Sequence, residues 1–347
     1  MILKELTELN GISGSEYNVM EYIKSHIEKY ADSINIDSMG NLIAFKKGDT
    51  GKYKVMISAH MDEVGLMVTG YQDGMLKFKG VGGLDERILP GKRVLVGDKR
   101  IPGFIGVKPI HLQEREERGA NIKLKSMYID IGADKKEDAE ALAPLGEYVA
   151  FYSEYTELGN DTVKAKALDD RVGCAILMEL IKEKYDFDLY ACFTVQEEVG
   201  LRGSEIAAYR IKPHIALVME GTTCSDVPGV EEHSHSTTLG GGAALTIMDR
   251  TSYADKALVD FLYKLAEENN IKVQFKRTTT GGNDAGKIQL TGSGVKVASI
   301  SVPCRYIHSP VSVMSKKDYE SCLKLAKLAL ERFNNDEILG GFGITNK

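Results

Sequence analysis

Side chains that can bind metal ions lie just after several predicted strands of this chain and directly before one predicted helix. In chain order they are His60 and Asp62, Asp169 and Asp170, Glu197 and Glu198, Glu220, and His308. Each is ordinary alone, since a single His is usually a hydrogen-bonded structural residue and an Asp before a helix usually caps it. Together they are informative, because carboxylates gathered at one edge of a sheet repel one another unless cations neutralise them.

The types of these side chains indicate which cations would fit. Imidazole and carboxylate ligands without a thiolate suit borderline divalent ions such as zinc, cobalt or manganese. Two histidines and three carboxylates suit two such ions. The sequence therefore predicts a two-metal centre.

The Glu197-Glu198 pair suggests a division of labour within that centre. Adjacent side chains point in different directions, so one carboxylate can hold a metal while the other faces a metal-bound water as general base. Asp62 lies two residues from His60 and, in an extended segment, on the same side of the chain. It can therefore accept the proton on the other nitrogen of the ligand imidazole and orient that ring.

The segments that must position these residues alternate between strands and helices. The predicted strands are residues 55–58, 189–195, 214–219 and 295–302, and the predicted helices are residues 171–182, 253–268 and 315–333. Such alternation is typical of an α/β fold with a mixed, mainly parallel sheet flanked by helices. Ligands of such sheets bind beyond the carboxyl ends of the strands, which is where the candidate ligands fall.

A stretch with a different pattern of apolar residues and turns interrupts this alternation of strands and helices. From residue 67 to residue 163 the apolar runs are short and broken by glycine-containing turns, which is typical of an all-β barrel or sandwich. The chain has 347 residues, whereas single cores usually stop growing near ~250–300 residues. We therefore expect a discontinuous catalytic domain, residues 1–66 plus 164–347, with an inserted β-barrel domain at 67–163.

Composition and charge exclude several classes of function. The net charge of −6 is not the positive charge that binding to nucleic acid or to anionic lipid requires. No apolar run approaches the ~20 residues of a membrane span, and the N-terminus lacks the pattern of a signal peptide. The five cysteines are odd in number and widely spaced, which indicates reduced thiols in the cytoplasm. We expect a cytoplasmic protein that binds neither nucleic acid nor membranes.

Five short motifs carry a resemblance to a known family. They are AHMDEVG (59–65), KALDDR (166–171), VQEEVG (195–200), GGNDA (281–285) and RYIHSP (305–310). In this order they resemble the co-catalytic metallo-aminopeptidases that assemble as tetrahedral dodecamers. That family includes glutamyl and lysyl aminopeptidases and some sequences labelled cellulase or endoglucanase. The resemblance runs from about residue 3 through the last predicted helix.

The resemblance implies a role for each candidate residue. It implies that Asp169 bridges two divalent metal ions, zinc or else cobalt or manganese, with His60 and Glu220 completing one site. Glu198 and His308 would complete the other site. Glu197 would be the general base and Asp62 would orient His60.

The resemblance also implies partners. The substrates would be peptides with a free N-terminus, and the inserted β domain would make subunit contacts in a homo-oligomer, a dodecamer. The sequence leaves open another di-metal amidase, of deacylase or carboxypeptidase type, an endoglucanase, and an inactive assembly protein. It does not fix the preferred N-terminal residue, although Arg277 could favour an acidic one.

Overall fold

The structure, a computed structural model, describes residues 2–344, with the backbone alone at residue 117. The helices of this part are α1 (Ile2–Glu8), α2 (Tyr17–Ile27), α3 (Lys136–Leu142), α4 (Leu168–Leu180), α5 (Arg202–Ile211), α6 (Lys256–Glu268), α7 (Ala285–Ile288), α8 (Lys316–Arg332) and α9 (Asp336–Gly341). None of these helices combines the length and the apolar character that a membrane span requires.

The strands form two separate sheets. They are β1 (Ser33–Ile36), β2 (Leu42–Lys46), β3 (Lys54–His60), β4 (Gly65–Gln72), β5 (Met75–Val81), β6 (Arg93–Val96), β7 (Ile101–Val107), β8 (Met127–Asp130), β9 (Tyr148–Phe151), β10 (Thr156–Leu158), β11 (Thr162–Ala165), β12 (Asp188–Thr194), β13 (Ile215–Cys224), β14 (Ala243–Thr246), β15 (Val273–Phe275), β16 (Lys296–Arg305) and β17 (Ser312–Ser315).

The larger sheet has a parallel centre and antiparallel edges. Its strand order is β1-β2-β12-β3-β13-β16-β17-β11-β10, and β14 pairs with β16 and with β15. Strands β12, β3, β13 and β16 run parallel, while the pairs at both ends of the order are antiparallel. Parallel strands at the centre bring several carboxyl ends to one edge, which is what a shared site requires.

Helices cover both faces of this sheet. Alternate residues of β3 show the two faces: Val55 and Ile57 belong to the core that α2, α4, α6 and α8 cover, and Met56 to the core that α5 and α7 cover. Period-two alternation with both faces apolar is the signature of a strand buried on both sides. The predicted α/β class is therefore confirmed.

The smaller sheet is a closed barrel, with strand order β4-β5-β8-β7-β6-β9. It has its own apolar core, which includes Leu66, Phe78, Ile129 and Phe151. The predicted barrel is confirmed, and it also contains α3, a helix that the glycine-rich texture did not predict. Strands β10 and β11 follow the barrel and pair within the larger sheet, and the domain limits at 67 and 163 stay predictions.

Strands β3, β13 and β16 are longer than predicted, and the length of β13 changes where one candidate ligand lies. Strand β13 continues to Cys224, so Glu220 lies inside it and not at its end. The extension is only weakly apolar, since it reads Glu-Gly-Thr-Thr-Cys, but every residue of β13 pairs with one of β16. Backbone hydrogen bonding to a neighbouring strand therefore overrides weak local propensity here.

Candidate active site

The strand register aligns the first pair of candidate ligands. His60 is the last residue of β3, and it pairs with Thr194 of β12. On the other side, Ser58 of β3 pairs with Val218 of β13, so two residues further along Glu220 comes level with His60. Side chains at the same level of adjacent strands point to the same face. The Nε2 of His60 accordingly lies 3.2 Å from Oε1 of Glu220.

Asp169 lies between the two histidines. One of its oxygens, Oδ1, is 3.3 Å from Nε2 of His60, and the other, Oδ2, is 3.7 Å from Nε2 of His308. Glu198 comes to the same ring of His308, with its Oε2 at 3.5 Å from Nε2. The structure thus brings all five predicted ligands together, in the grouping that a bridging Asp169 requires.

Asp170 completes the surroundings of the first group without having been assigned as a ligand. Together with His60 and Glu220 it forms one set of side chains that could hold an ion, and Asp169, Glu198 and His308 form a second. Asp170 also accepts hydrogen bonds from the backbone N–H groups of His60, at 3.2 Å, and Gly173, at 2.9 Å. It therefore ties the end of β3 to the start of α4, next to the cis peptide that joins it to Asp169.

The buried charges fit divalent cations. Burial and the neighbouring carboxylates raise the pKa of Glu197 and of Glu198 well above the usual range. Oδ1 of Asp169 and Oε2 of Glu220 are buried and have no hydrogen-bond partner among the described residues. Orphaned carboxylate oxygens are costly to bury unless a cation or donor faces them. The donor set and these orphaned oxygens therefore suit two bound metal ions.

Two glycines allow the backbone to approach this centre closely. A Cβ on Gly221 would lie 2.9 Å from Cα and 3.0 Å from Cβ of Asp169. A Cβ on Gly83 would lie 3.2 Å from Nδ1 of His308. Gly83 belongs to the loop after β5, so the barrel borders the site, whereas the sequence pattern of residues 67–163 predicts only glycine-containing turns.

Residues 40–325 match the family described as M42 glutamyl aminopeptidase. The chain belongs to this family. It is therefore a peptide hydrolase.

Individual relatives agree with the M42 assignment. A putative aminopeptidase of Acetivibrio thermocellus is 42% identical over 93% of this chain and 96% of its own. A lysyl aminopeptidase of Pyrococcus furiosus is 32% identical over 95% of this chain and 96% of its own. The likeness extends along almost the full length of each protein.

Solved structures share the same fold. An aminopeptidase of the archaeon Desulfurococcus kamchatkensis superposes with a TM-score of 0.93 at 36% identity, over 99% of this chain and 98% of its own. The TET1 peptidase of Pyrococcus horikoshii, which can assemble into a tetrahedron or a large octahedral shell, gives 0.85 at 34% identity over 95% and 98%. A Thermotoga maritima protein named endoglucanase gives 0.81 at 37% identity over 99% of both chains.

In this M42 chain, Asp62 makes more hydrogen bonds than its predicted role of orienting His60 requires. Its Oδ1 lies 3.4 Å from Nδ1 of His60, but its backbone carbonyl is nearer to that nitrogen, at 3.0 Å. Its carboxylate accepts the backbone N–H groups of Glu197, at 3.0 Å, and Glu198, at 3.1 Å, and the hydroxyl of Ser13, at 2.6 Å. Asp62 therefore holds the Glu-Glu pair as well as lying beside His60.

The two adjacent glutamates do face different groups. Oε2 of Glu197 lies 3.9 Å from Nε2 of His60, on the side of the first ligand set, while Glu198 faces His308. Both border an open cleft of about 720 Å³ together with Asp169, Glu220 and His308. His60 lies beneath the floor of this cleft and is 1% exposed.

The cleft also has residues that sequence reasoning missed. Arg250 and Lys276 border it, whereas Arg277 donates instead to the carbonyl oxygen of Glu232, at 3.1 Å, and is not part of the lining. The side chain of Arg250 has no hydrogen bond or ion pair with any residue that the structure describes, although its backbone N–H donates to the carbonyl oxygen of Gly281, at 2.8 Å. No local pattern marks Arg250, because a single Arg in a loop is usually a solvated surface charge.

Proposed function

We propose that this chain is a metal-dependent aminopeptidase that removes N-terminal residues from peptides. His60, Asp169, Glu198, Glu220 and His308 would hold two divalent cations, with zinc, cobalt and manganese as candidates. The observation that carries the proposal is the position of Asp169, whose two oxygens face different histidines within one cleft.

The roles in hydrolysis follow from that arrangement. Two cations bound at this centre would polarise the scissile carbonyl and lower the pKa of a bound water. Glu197 would take the proton from the attacking water and return it to the leaving amino group. The carboxylate of Asp62 would keep Glu197 in place by accepting the backbone N–H of Glu197, and it would hold the orientation of His60.

The test uses peptides that differ only at the N-terminus. A free-amine peptide should be cleaved one residue at a time, and its N-acetylated counterpart should not. Cleavage of the acetylated peptide at a similar rate would instead support a deacylase or another amidase. Chelation should abolish the activity, and zinc, cobalt or manganese should restore it.

An endoglucanase activity is the alternative that one structural neighbour's name raises. A glycosidase needs two carboxylates about 5–10 Å apart and usually no metal. The family match and the named relatives are peptidases, so this alternative has less support. Glucan hydrolysis that persists in the presence of a chelator would favour it.

The charges of the cleft favour an acidic N-terminal residue. Among the described residues the side chain of Arg250 is exposed and unpaired, and the ammonium group of Lys276 meets only the carbonyl oxygen of Thr280, at 3.1 Å. The positive charges of the Arg250 and Lys276 side chains attract a carboxylate side chain of the substrate and repel an ammonium group. We therefore expect glutamyl and aspartyl substrates to be cleaved with higher kcat/KM than lysyl ones, and Arg250→Ala to reduce that preference.

We also propose that the chain assembles as a homo-oligomer, a dodecamer, as its structural relatives suggest. The barrel carries exposed apolar side chains, Phe104, Ile110, Leu112 and Leu145, that a subunit contact would cover. Light scattering on the purified protein should give the mass of twelve chains. A monomeric mass would contradict the proposal.

A further inference from the structure

The backbone N–H groups of the segment that carries the two glutamates bond to side chains and not to a neighbouring strand, while its carbonyl oxygens at Val195, Gln196 and Glu197 accept backbone N–H groups of residues 200–203. Strand β12 ends at Thr194, and the next four backbone N–H groups each meet a side-chain oxygen. Their acceptors are Oδ1 of Asn41 for Val195 (3.0 Å), Oε1 of Glu16 for Gln196 (3.1 Å), Oδ1 of Asp62 for Glu197 (3.0 Å) and Oδ2 of Asp62 for Glu198 (3.1 Å). We call residues 195–198 the glutamate segment.

Among these acceptors, Glu16 is a buried carboxylate from a distant part of the chain that has no capping role in the helix it precedes. It is separated from Gln196 by 180 residues and is 6% exposed. The same oxygen, Oε1, accepts the backbone N–H of Gly14, at 2.8 Å. Glu16 stands directly before α2 but makes no side-chain capping bond to that helix. A buried carboxylate is costly, so its bonds must compensate for its burial.

The residue that Glu16 holds has an unusual backbone. Gln196 has a φ of +57°, in the left-handed backbone region that residues other than Gly, Asn and Asp seldom adopt. Strain of this kind persists only where the surrounding structure enforces it. Gln196 immediately precedes Glu197, so its backbone geometry sets the direction in which the Glu197 side chain leaves the chain.

We propose that Glu16 is a positioning residue, which fixes the backbone of Gln196 and thereby aims Glu197 at the reacting water. The inference rests on the proposed function of Glu197 as general base. Glu16 touches neither substrate nor metal in this account and acts only through the glutamate segment.

The surrounding contacts support this role. Ser13, three residues before Glu16, donates to Asp62, which holds the next two N–H groups. One short stretch of chain therefore supports three consecutive peptides of the segment. Burial raises the pKa of Glu16 to about 7, against the hydrogen bonds from Gly14 and Gln196 that lower it.

The experiment compares Glu16→Ala with Glu16→Gln and with a matched control, Asp318→Ala. Asp318 is also a buried carboxylate that accepts two backbone N–H groups, from Gly240 at 2.6 Å and Gly242 at 2.7 Å, but it does not border the cleft. The amide oxygen of Gln can accept both bonds that Glu16 accepts. All three variants and the wild type are assayed with metal bound, on one free-amine peptide.

Glu16→Ala should lower kcat by about 10- to 100-fold, since displacement of a catalytic group by ~1 Å costs that much. KM should stay within about twofold and bound metal should remain at two ions per chain, because the ligand Glu198 is still held by Asp62. Glu16→Gln should restore kcat to within about threefold of the wild type. Asp318→Ala should lower only thermal stability.

An unchanged kcat in Glu16→Ala would overturn the proposal, as would an equal loss in Glu16→Gln or in Asp318→Ala. If Glu16→Ala does not fold, Glu16→Asp decides, because its shorter side chain withdraws the acceptor oxygens: kcat should fall, and an unchanged kcat would overturn the proposal. Hydrogen exchange distinguishes a failure of the role proposed for Glu16 from a failure of the proposed peptidase function. Gln196 and its neighbours should exchange faster in Glu16→Ala than in Asp318→Ala even if no peptide is cleaved.

Discussion

The two histidines of the centre differ sharply in their surroundings. The His60 side chain is 2% exposed, and although burial alone would lower its pKa, Glu197, Asp169, Asp62 and Glu220 raise it well above the usual value. The His308 side chain is 45% exposed and borders the open cleft. Replacement of His308 should therefore disturb the fold far less than replacement of His60.

His308→Ala should keep the fold and lose one metal ion of two. Removal of an exposed side chain leaves no cavity in the core, while the second ligand set is reduced to Asp169 and Glu198. Metal analysis after gel filtration should find about one ion per chain, and metal-free protein should melt within a few degrees of the wild type. Two tightly bound ions in this variant would contradict the assigned ligand set.

Candidate residues were predictable from the sequence when their type and their position, near a strand end or directly before a helix, pointed to chemistry. His60, Asp169, Glu198, Glu220 and His308 fall in that class, and the structure brings them together. The role proposed for Glu16 had no such signal, because its bond to Gln196 joins residues 180 positions apart. Arg250 was missed for a related reason, since only folding brings its loop to the cleft.

At the scale of elements, a buried ion cluster joins three parts of the fold near the site. Lys166, directly after β11, donates to the carboxylate of Glu63 and to the carbonyl oxygen of Leu9, the latter at 2.8 Å. Arg171 of α4 places its Nη2 3.6 Å from Oε1 of Glu63. The cluster ties the start of α4, which carries Asp169, to the chain that follows His60.

This cluster predicts a dependence of stability on pH. Burial lowers the pKa of Lys166 from 10.5 to about 8 in the folded chain. The unfolded chain therefore binds more protons between these two pH values, so this group makes the free energy of unfolding rise with pH across that window. Relative to Lys166→Met, the wild type should gain on the order of 3 kcal/mol at most between pH 8 and pH 10.5.

Urea unfolding at a series of pH values, with chelator in every sample, measures this difference. Lys256→Met is the matched control, because the side chain of Lys256 is 83% exposed and, among the described residues, pairs only with Asp260 on the surface of α6. Its difference from the wild type should stay flat over the window. A flat difference for Lys166→Met would show that Lys166 keeps its ordinary pKa in the folded chain, and a difference that falls with pH would show that this pKa is raised; either result would contradict the prediction.

Elements were predictable where the apolar pattern was strong. The predicted strand at 189–195 corresponds to β12, and the helix predicted at 315–333 corresponds to α8, where Ser315 caps the N-terminus by accepting the backbone N–H of Lys317. The strand containing Glu220 was predicted too short, because its last residues gain their order from pairing with β16. Helix α3 was missed because glycine-containing turns on both sides dominated the pattern.

At the scale of the whole molecule, the site depends on both sheets. The larger sheet supplies His60, Glu220 and the glutamate segment, while the loop after β5 brings Gly83 against His308. The proposed metal centre therefore lies where the barrel meets the larger sheet. Bound cations should stabilise this junction as a whole, because without them the buried carboxylates repel one another.

Removal of metal should therefore lower the melting temperature of the whole chain. A ligand at about a hundred times its dissociation constant adds roughly 3 kcal/mol to the stability of the folded state. Calorimetry of the chelated and the metal-loaded protein measures the shift, and readdition of zinc should reverse it. Equal melting temperatures, with metal analysis showing that the ions were lost, would argue that these residues do not form a structural junction through bound metal.

The central claim is that adjacent glutamates have different roles, Glu197 as the base and Glu198 as a ligand. The most direct measurement is kcat together with metal content for Glu197→Gln and Glu198→Gln, side by side. Glu197→Gln should keep two ions per chain and lose about 10²- to 10⁴-fold in kcat, while Glu198→Gln should bind fewer ions. A Glu197→Gln variant that stays active, or that loses its metal as Glu198→Gln does, would contradict the account.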